Sequence, residues 1–260
     1  MAVSLWRYMR KMFLAVFVFL SGFLIGAFFV IGQVKALAAD SGKKVMPGGI
    51  VYASDTGTPE NETGAAEIYE YLLVNAWNPL DGRYTPSLVT VESGYEMDAL
   101  AAQALKTMLA DGRAAGYQLK ICSAYRSMEK QTSLFEKKVS QYTALGMGRT
   151  EAEAEAAKTV ARPGTSEHHT GFAVDLVSEG YQILDEKQEN TAEQQWLMAN
   201  CSRYGFILRY PNSKTDITGI IYEPWHYRYV GVDAAKEIMD RGICLEEYLG
   251  EKYPGGENTL

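Results

Sequence analysis

The chain has three histidines in 260 residues, and all of them fall in two short segments. His168 and His169 stand side by side in "RPGTSEHHTGFAVDL", and His226 stands in "YEPWHYRYVG". Each segment also carries a carboxylate. Asp175 follows His168 by seven residues, with Gly171 between them, and Glu223 precedes His226 by three. "FAVDL" has strand character, which puts Asp175 on a strand and His168 on the turn before it. Two imidazoles and one carboxylate make a three-ligand set suited to Zn2+, with the fourth coordination position left to water. A further carboxylate beside that water would take its proton, as the glutamate of helical zinc peptidases does. Pro224 excludes a simple interior helix between Glu223 and His226. On a flat strand, residues three apart point to opposite faces, so both can face an ion only if the chain bends at Pro224. His168 and His169 cannot readily reach one ion together from extended backbone, so one of them has another role, and spacing does not say which. A single histidine is ordinarily a satisfied surface or core residue. Three in two segments, each with an acid and flanked by Gly, Trp and Tyr, point to a metal site.

Composition narrows the setting. "MAVSLWRYMRKM" carries Arg7, Arg10 and Lys11 and no acid, and Phe13 to Gly32 is a run without a charge, long enough to span a bilayer as a helix. Ala36 and Ala38 in "KALAAD" have the small-x-small pattern of a cleavage site, so residues 1–38 are either a retained membrane anchor or a cleaved signal peptide. In both cases the basic side stays in the cytoplasm and the remainder is extracytoplasmic, facing outward from the membrane or secreted. Residues 1–38 hold four of the 25 basic residues and no acid, which leaves 21 basic against 32 acidic residues in the exported part, a net of −11. That charge excludes a general nucleic-acid binder. The three cysteines, Cys122, Cys201 and Cys244, are too few for a disulfide framework and form no CxxC pair; they read as small buried hydrophobes.

The elements that must position the histidines follow from periodicity. Residues 39–65, rich in Gly, Ser, Asp, Thr and Pro, read as a flexible linker, 66–250 as one folded domain, and 251–260 as a C-terminal tail. Leu72, Leu73 and Val74 suggest a strand ended by "NPLDG". "YEMDALAAQALKTMLADGRAAG" places Leu100, Leu105, Met108 and Leu109 on one helical stripe. "YQLKICSAY" alternates as a strand and "SMEKQTSLFEKKVSQYTALG" reads as a helix. Capping boxes at Thr150/Glu153 and Thr191/Gln194 open two more helices. "FILRY" and "GIIYEPWHYRYV" read as strands, and a helix from Asp233 to Arg241 is closed by Gly242. The mixture, without a βαβ rhythm, predicts an α+β domain with a small, mainly antiparallel sheet and flanking helices.

The motifs resemble those of a known family. "SEHHTGFAVD" is similar to the SxHxxGxAxD signature of VanY-type D-alanyl-D-alanine carboxypeptidases, zinc enzymes of bacterial cell walls. "EPWHYR" is similar to that family's ExWH segment, and "SAYRSMEKQ" resembles its SxYRSxxxQ segment. The three occur in the family's order, and the resemblance covers roughly Glu67 to Leu249. It implies one zinc ion per chain held by His168, Asp175 and His226, with His169 at a variable position. It implies Glu223 as catalytic base, Arg126 as the cation that meets substrate, and Gln131 and Ser166 as lining residues. Tyr125, next to Arg126, reads equally as packing or as substrate contact; Trp225 and Tyr227 read as packing around His226. A ligand role for Asp175 also accounts for an acid inside an otherwise apolar strand, where an unpaired carboxylate is costly. The implied function is removal of the C-terminal D-alanine from peptidoglycan stem peptides or their precursors. Its alternatives are L,D-carboxypeptidase action on tetrapeptide stems and a non-catalytic, zinc-containing wall-binding module. The implied partners are peptides ending in D-Ala and, if the N-terminal segment is uncleaved, the cytoplasmic membrane.

Overall fold

The computed structural model describes residues 71–252, which belong to the larger of two compact units, Met46–Leu260. The expected N-terminal segment and linker, and the tail beyond Lys252, lie outside the described residues. A two-stranded hairpin, β1 (Leu88–Thr90) and β2 (Glu96–Asp98), leads into helix α1 (Ala99–Ala114). Strand β3 (Leu119–Ser123) is followed by the helical pair α2 (Met128–Ala144) and α3 (Arg149–Ala157). A single tight helical turn, Glu167–Thr170, precedes β4 (Ala173–Ser178). Helix α4 (Ala192–Asn200), strand β5 (Phe206–Leu208), the short α5 (Thr215–Thr218), strand β6 (His226–Tyr229), and helices α6 (Val232–Arg241) and α7 (Leu245–Lys252) complete the order. The main sheet runs β3-β4-β6-β5 with every neighbouring pair antiparallel, so the domain has the α+β architecture expected.

Alternation along the strands divides the apolar residues between two layers. Val174 and Leu176 of β4, Phe206 of β5 and Tyr227 of β6 face one way and pack with Leu105, Met108 and Leu109 of α1. Ile207 packs instead with Val230, Ala235, Ile238, Leu245 and Leu249, under α6 and α7. A satellite core joins α2 to α3 through Phe135, Val139, Ala152 and Ala156. The caps are local. Asp98 accepts from the backbone N–H of Leu100 to start α1, Ser127 accepts from Lys130 to start α2, and Thr191 accepts from Gln194 N–H to start α4. The reciprocal half of the expected capping box at Thr191 is not made, because the Gln194 side chain is bonded to Leu176 C=O and Tyr227 in the core. Gly171 turns the chain into β4 with φ +78°, and a Cβ there would lie 2.8 Å from the backbone nitrogen of Asp98. Glycine is required at this position by both conformation and space.

Several expectations are corrected. Leu72, Leu73 and Val74 are buried but unstranded. Their apolarity reflects packing beneath the sheet, where Leu72 C=O accepts from Arg228. Leu100 is 40% exposed and leaves the core stripe of α1, because the cap at Asp98 places it at the helix's outer first turn. Helix α3 starts one residue before Thr150, with Gly148 as its cap and no side-chain cap bond; the tight reversal out of α2 sets its entry. In "GIIYEPWHYRYV" only His226–Tyr229 is strand, and Glu223 to His226 is a turn closed by His226 N–H donating to Glu223 C=O at 3.1 Å. The bend at Pro224 is therefore present. The hairpin β1–β2 and helix α7, which runs past residue 250, have no counterpart in the sequence reading.

Candidate metal centre and active site

Sheet register brings the two histidine segments together. Asp175 on β4 pairs across the ladder with His226 on β6 and, on its other side, with Ser123 on β3, where a register shift follows Ile121. Residues directly opposite in an antiparallel pair point to the same face. Asp175 and His226 therefore share one face, and the helical turn before β4 swings His168 over them. Ligand-type atoms of His168, Asp175 and His226 all lie within 4.8 Å of one another, and all three residues are buried. Asp175 Oδ2 is 3.3 Å from His168 Nε2, and Oδ1 is 3.1 Å from His226 Nδ1. The two imidazoles meet edge to face at 4.9 Å.

The outer nitrogens show how each ring is held. His168 Nδ1 lies 2.7 Å from Ala124 C=O, which can only accept, so Nδ1 carries the proton and Nε2 turns its lone pair to Asp175. His169 resolves the ambiguity of the adjacent pair. Its Nδ1 donates to Arg126 C=O at 2.7 Å, and its Nε2 accepts from Gly164 N–H at 3.2 Å. Both nitrogens are engaged, so His169 is a strut between two loops and has no lone pair for an ion. Two imidazole nitrogens and a carboxylate oxygen, converging and buried, with the His168 ring oriented by a backbone carbonyl, fit a zinc ion.

The charges around the trio are strongly perturbed. Burial and the Arg126 charge push the His168 imidazole down to about 4, which keeps it neutral. Burial works against protonation of His226, but the Asp175 and Glu167 carboxylates facing it outweigh this and raise it to about 9. Burial also opposes ionisation of Asp175, yet the Arg126 guanidinium bonded to it helps hold its carboxyl well below the usual range. Glu223 goes the other way. Burial and the neighbouring Asp175 charge raise it to about 8, and its Oε2 lies 3.8 Å from His226 Nδ1. A carboxylate poised near neutrality in a cleft is suited to taking and returning a proton.

Arg126 completes the constellation. Its Nη2 donates to Asp175 at 2.5 Å and its Nε to Ser123 Oγ at 2.7 Å. A cavity of about 330 Å3 is walled by Arg126, Ser166, His168, Asp175, Glu223 and His226, with Tyr210, Trp225, Ile220 and Ile221 as apolar surface and Lys137 and Lys138 at one side. Two residues expected in the site are not in its wall. Gln131 is fully buried behind Arg126, receiving its Nη1 at 3.5 Å while donating to Ala161 C=O, so it supports the arginine rather than the cavity. Tyr125 is half-buried and is absent from the lining. Trp225 is a wall residue, whereas Tyr227 packs in the core and donates to Gln194. Ser123, Tyr210 and Glu167 were not signalled by spacing. Ser123 has one signal in hindsight, its place in the same "SAYR" stretch as Arg126.

Comparison with known proteins agrees with this geometry. The family model for the D-alanyl-D-alanine carboxypeptidase VanY matches residues 94–232, which contain every residue of the constellation. A D-alanyl-D-alanine carboxypeptidase of Enterococcus faecalis is 40% identical over 206 residues, covering 75% of this chain and 75% of the relative. The chain belongs to the VanY carboxypeptidase family. The putative carboxypeptidase YodJ of Bacillus subtilis is 42% identical over 189 residues, covering 68% of this chain and 66% of that protein. Among solved structures, a variant of the vancomycin-resistance D,D-pentapeptidase VanY from a VanB-type cassette, in complex with Zn(II), matches with TM-score 0.64 and 41% identity. That match covers 70% of this chain and 99% of the other. The LD-carboxypeptidase LdcB matches with TM-score 0.60 and 41% identity, covering 68% of this chain and 84% of that one. VanY membership thus makes this chain a member of a carboxypeptidase family, one of whose solved members is a complex with Zn(II).

Proposed function

We propose that this protein is a zinc-dependent carboxypeptidase that removes the C-terminal D-alanine from peptidoglycan stem peptides, with Glu223 as general base and Arg126 as the cation that meets substrate. One observation carries the reading: in a VanY-family chain, the converging His168, Asp175 and His226 share a cavity with a carboxylate raised to about 8 and a held arginine. A solved relative, VanYB, is in complex with D-alanine-D-alanine, which supports peptides of that ending as substrate. His168, Asp175 and His226 would hold one zinc ion, which when bound acts as a Lewis acid and makes water a nucleophile near neutral pH. Glu223 takes a proton from the attacking water and returns it to the amine of the departing D-alanine. Arg126, fixed by Ser123 and Asp175, offers a permanent charge to a substrate carboxylate or to the oxyanion that develops at the scissile carbonyl. Tyr210, Trp225, Ile220 and Ile221 exclude water from one side of the cavity and strengthen these interactions.

The bond cut has a second reading within the same chemistry. LdcB and the L,D-carboxypeptidase DacB of Streptococcus, the latter at TM-score 0.55 and 33% identity, share this fold, which supports action on tetrapeptide stems. The non-catalytic reading is disfavoured by the glutamate at position 223. Mass spectrometry of synthetic pentapeptide and tetrapeptide incubated with the purified 39–260 fragment and zinc decides among the three. Loss of one D-alanine from the pentapeptide is expected. Loss only from the tetrapeptide would move the assignment to L,D activity, and no release from either would end both. We place the reaction outside the cytoplasmic membrane, on the strength of the basic N-terminus and the uncharged Phe13–Gly32 run. Among the described residues no helix is long and apolar enough to cross a membrane. A reporter fused downstream of residue 45 should appear outside the cytoplasm, and a cytoplasmic reporter would refute this placement.

A further inference from the structure

Glu167, the residue before the first metal-site histidine, is completely enclosed. Its Oε1 accepts from Arg209 Nε at 2.7 Å and from Arg228 Nη1 at 2.9 Å. Its Oε2 makes no hydrogen bond within range and faces His226 Nε2 at 3.6 Å, and that nitrogen is likewise without a hydrogen-bond partner among the described residues. Two buried polar atoms left over and aimed at each other are a single interaction slightly open, since orphaned buried groups are rare and costly.

The rest of the cluster explains why the acid is fixed there. Arg209 also grips Glu246 through Nη1 at 2.8 Å and Nη2 at 2.6 Å, and Glu246 accepts from Asn75. Two arginines and two glutamates are thus buried beside the site. Buried ion pairs of this kind are poor stabilisers compared with apolar side chains of similar volume, so stability alone gives little reason for the arrangement. Its geometric effect is specific. The two arginines occupy Oε1, which leaves Oε2 as the acceptor that faces His226.

We propose that Glu167 is a positioning residue for the metal centre: it takes the Nε2 proton of His226 as a hydrogen bond, so that His226 presents Nδ1, the nitrogen facing Asp175. His168 is set the opposite way, with its proton on Nδ1 and Nε2 inward. The two rings thus ligate through different nitrogens, each tautomer chosen by the acceptor behind it. Substitution of Glu167 by Gln inverts the contact. The amide oxygen stays with the arginines and the amide NH2 turns to His226, which favours the tautomer with its proton on Nδ1.

The inference rests on the zinc reading above, and the experiment separates the two. Long-range 1H–15N correlation spectra of the zinc-loaded wild-type protein should show the His226 proton on Nε2 and the His168 proton on Nδ1. A His226 proton on Nδ1 overturns the proposal without any variant, whereas a wild-type protein that binds no zinc overturns the zinc reading itself. Zinc affinity is then measured by chelator competition for Glu167→Gln and for Glu246→Gln, which removes the same charge from the same cluster without facing His226. Glu167→Gln should weaken zinc by about 10–100-fold, and Glu246→Gln should leave it near wild type. Equal weakening in both variants, or none in Glu167→Gln, reduces Glu167 to a counter-ion of the two arginines. If Glu167→Gln does not fold, the wild-type tautomer still decides.

Discussion

Two networks of arginine and glutamate lie at opposite extremes of exposure. On the α2–α3 pair, Arg149 reaches Glu136 at 2.7 Å and Glu153 at 2.5 Å, and Arg162 approaches Glu153 at 3.4 Å, with side chains 28–57% exposed. Beside the metal site, Arg209 and Arg228 hold Glu167 and Glu246 at similar distances, with side chains 0–9% exposed. The contacts look alike and differ in what surrounds them. Water screens the surface network and competes for its bonds, so it contributes little to stability. The enclosed network has no such substitute. Each partner is there because the others are, and its orientation passes to whatever it faces, which for Glu167 is His226. In this protein the ionic groups that matter to function are those that water does not reach, and they sit next to one another.

The largest effects should follow from breaking the enclosed side at the metal trio. His168→Ala, Asp175→Ala and His226→Ala should each lose most of the bound zinc and with it D-alanine release, while His169→Ala, whose ring nitrogens are already engaged, should keep zinc at wild-type stoichiometry. Retention of zinc by all three ligand variants, measured by metal analysis, would remove the site. Next comes Glu223→Gln, which keeps shape but cannot accept a proton. It should lower D-alanine release by about 10²–10⁴-fold, with zinc content unchanged. Near-wild-type release would leave the reaction without its proposed base.

Breaking the enclosed ion network should cost stability. Arg209→Met strands two buried acids, and loss of one partner from such a cluster costs about 3–5 kcal/mol. For a domain of this size that corresponds to a fall in Tm of about 10 °C, read by calorimetry. The smallest effect is expected at the surface, where Arg149→Met should leave Tm almost where it was. An equal drop in the two arginine variants would erase the comparison. Acid sharpens it. The two arginines overcome the burial penalty and hold Glu167 well below the ordinary value of 4.5. A lowered folded value means that the stabilising contribution is complete above the unfolded value and is lost as pH falls through the folded one. Wild-type stability should therefore decline below about pH 4.5. Arg209→Met, lacking one of the charges that hold the carboxylate ionised, should show a smaller decline over a narrower range, because its folded and unfolded values lie closer together.

What the amino-acid order determined by itself was local or compositional. Met128–Ala144 forms its helix from its own cap and periodicity, Thr191 caps α4 through its neighbour three residues on, and Pro224 bends the chain before His226. The chemistry-bearing residues were also legible, because few positions hold His, and the acids and glycine around them are unusual in apolar surroundings. Tertiary structure alone decided which atoms meet. Spacing left His168 and His169 equivalent. The difference arises because one ring reaches the Ala124 carbonyl and the other is clamped between Arg126 and Gly164, contacts made over about forty residues of chain in all but one case. The family resemblance placed Gln131 in the cavity wall and adjacency to Arg126 suggested Tyr125, but Gln131 is buried behind the arginine on α2 and Tyr125 is not among the lining residues. Leu72–Val74 gave an apolar signal that burial without pairing produces as readily as a strand does. Glu167, the acid beside His168 in sequence, touches His226 instead. Only the pairing of β4 with β6, and the arginine that β6 carries two residues after His226, bring those groups together, because hydrogen-bond register acts across the chain and not along it.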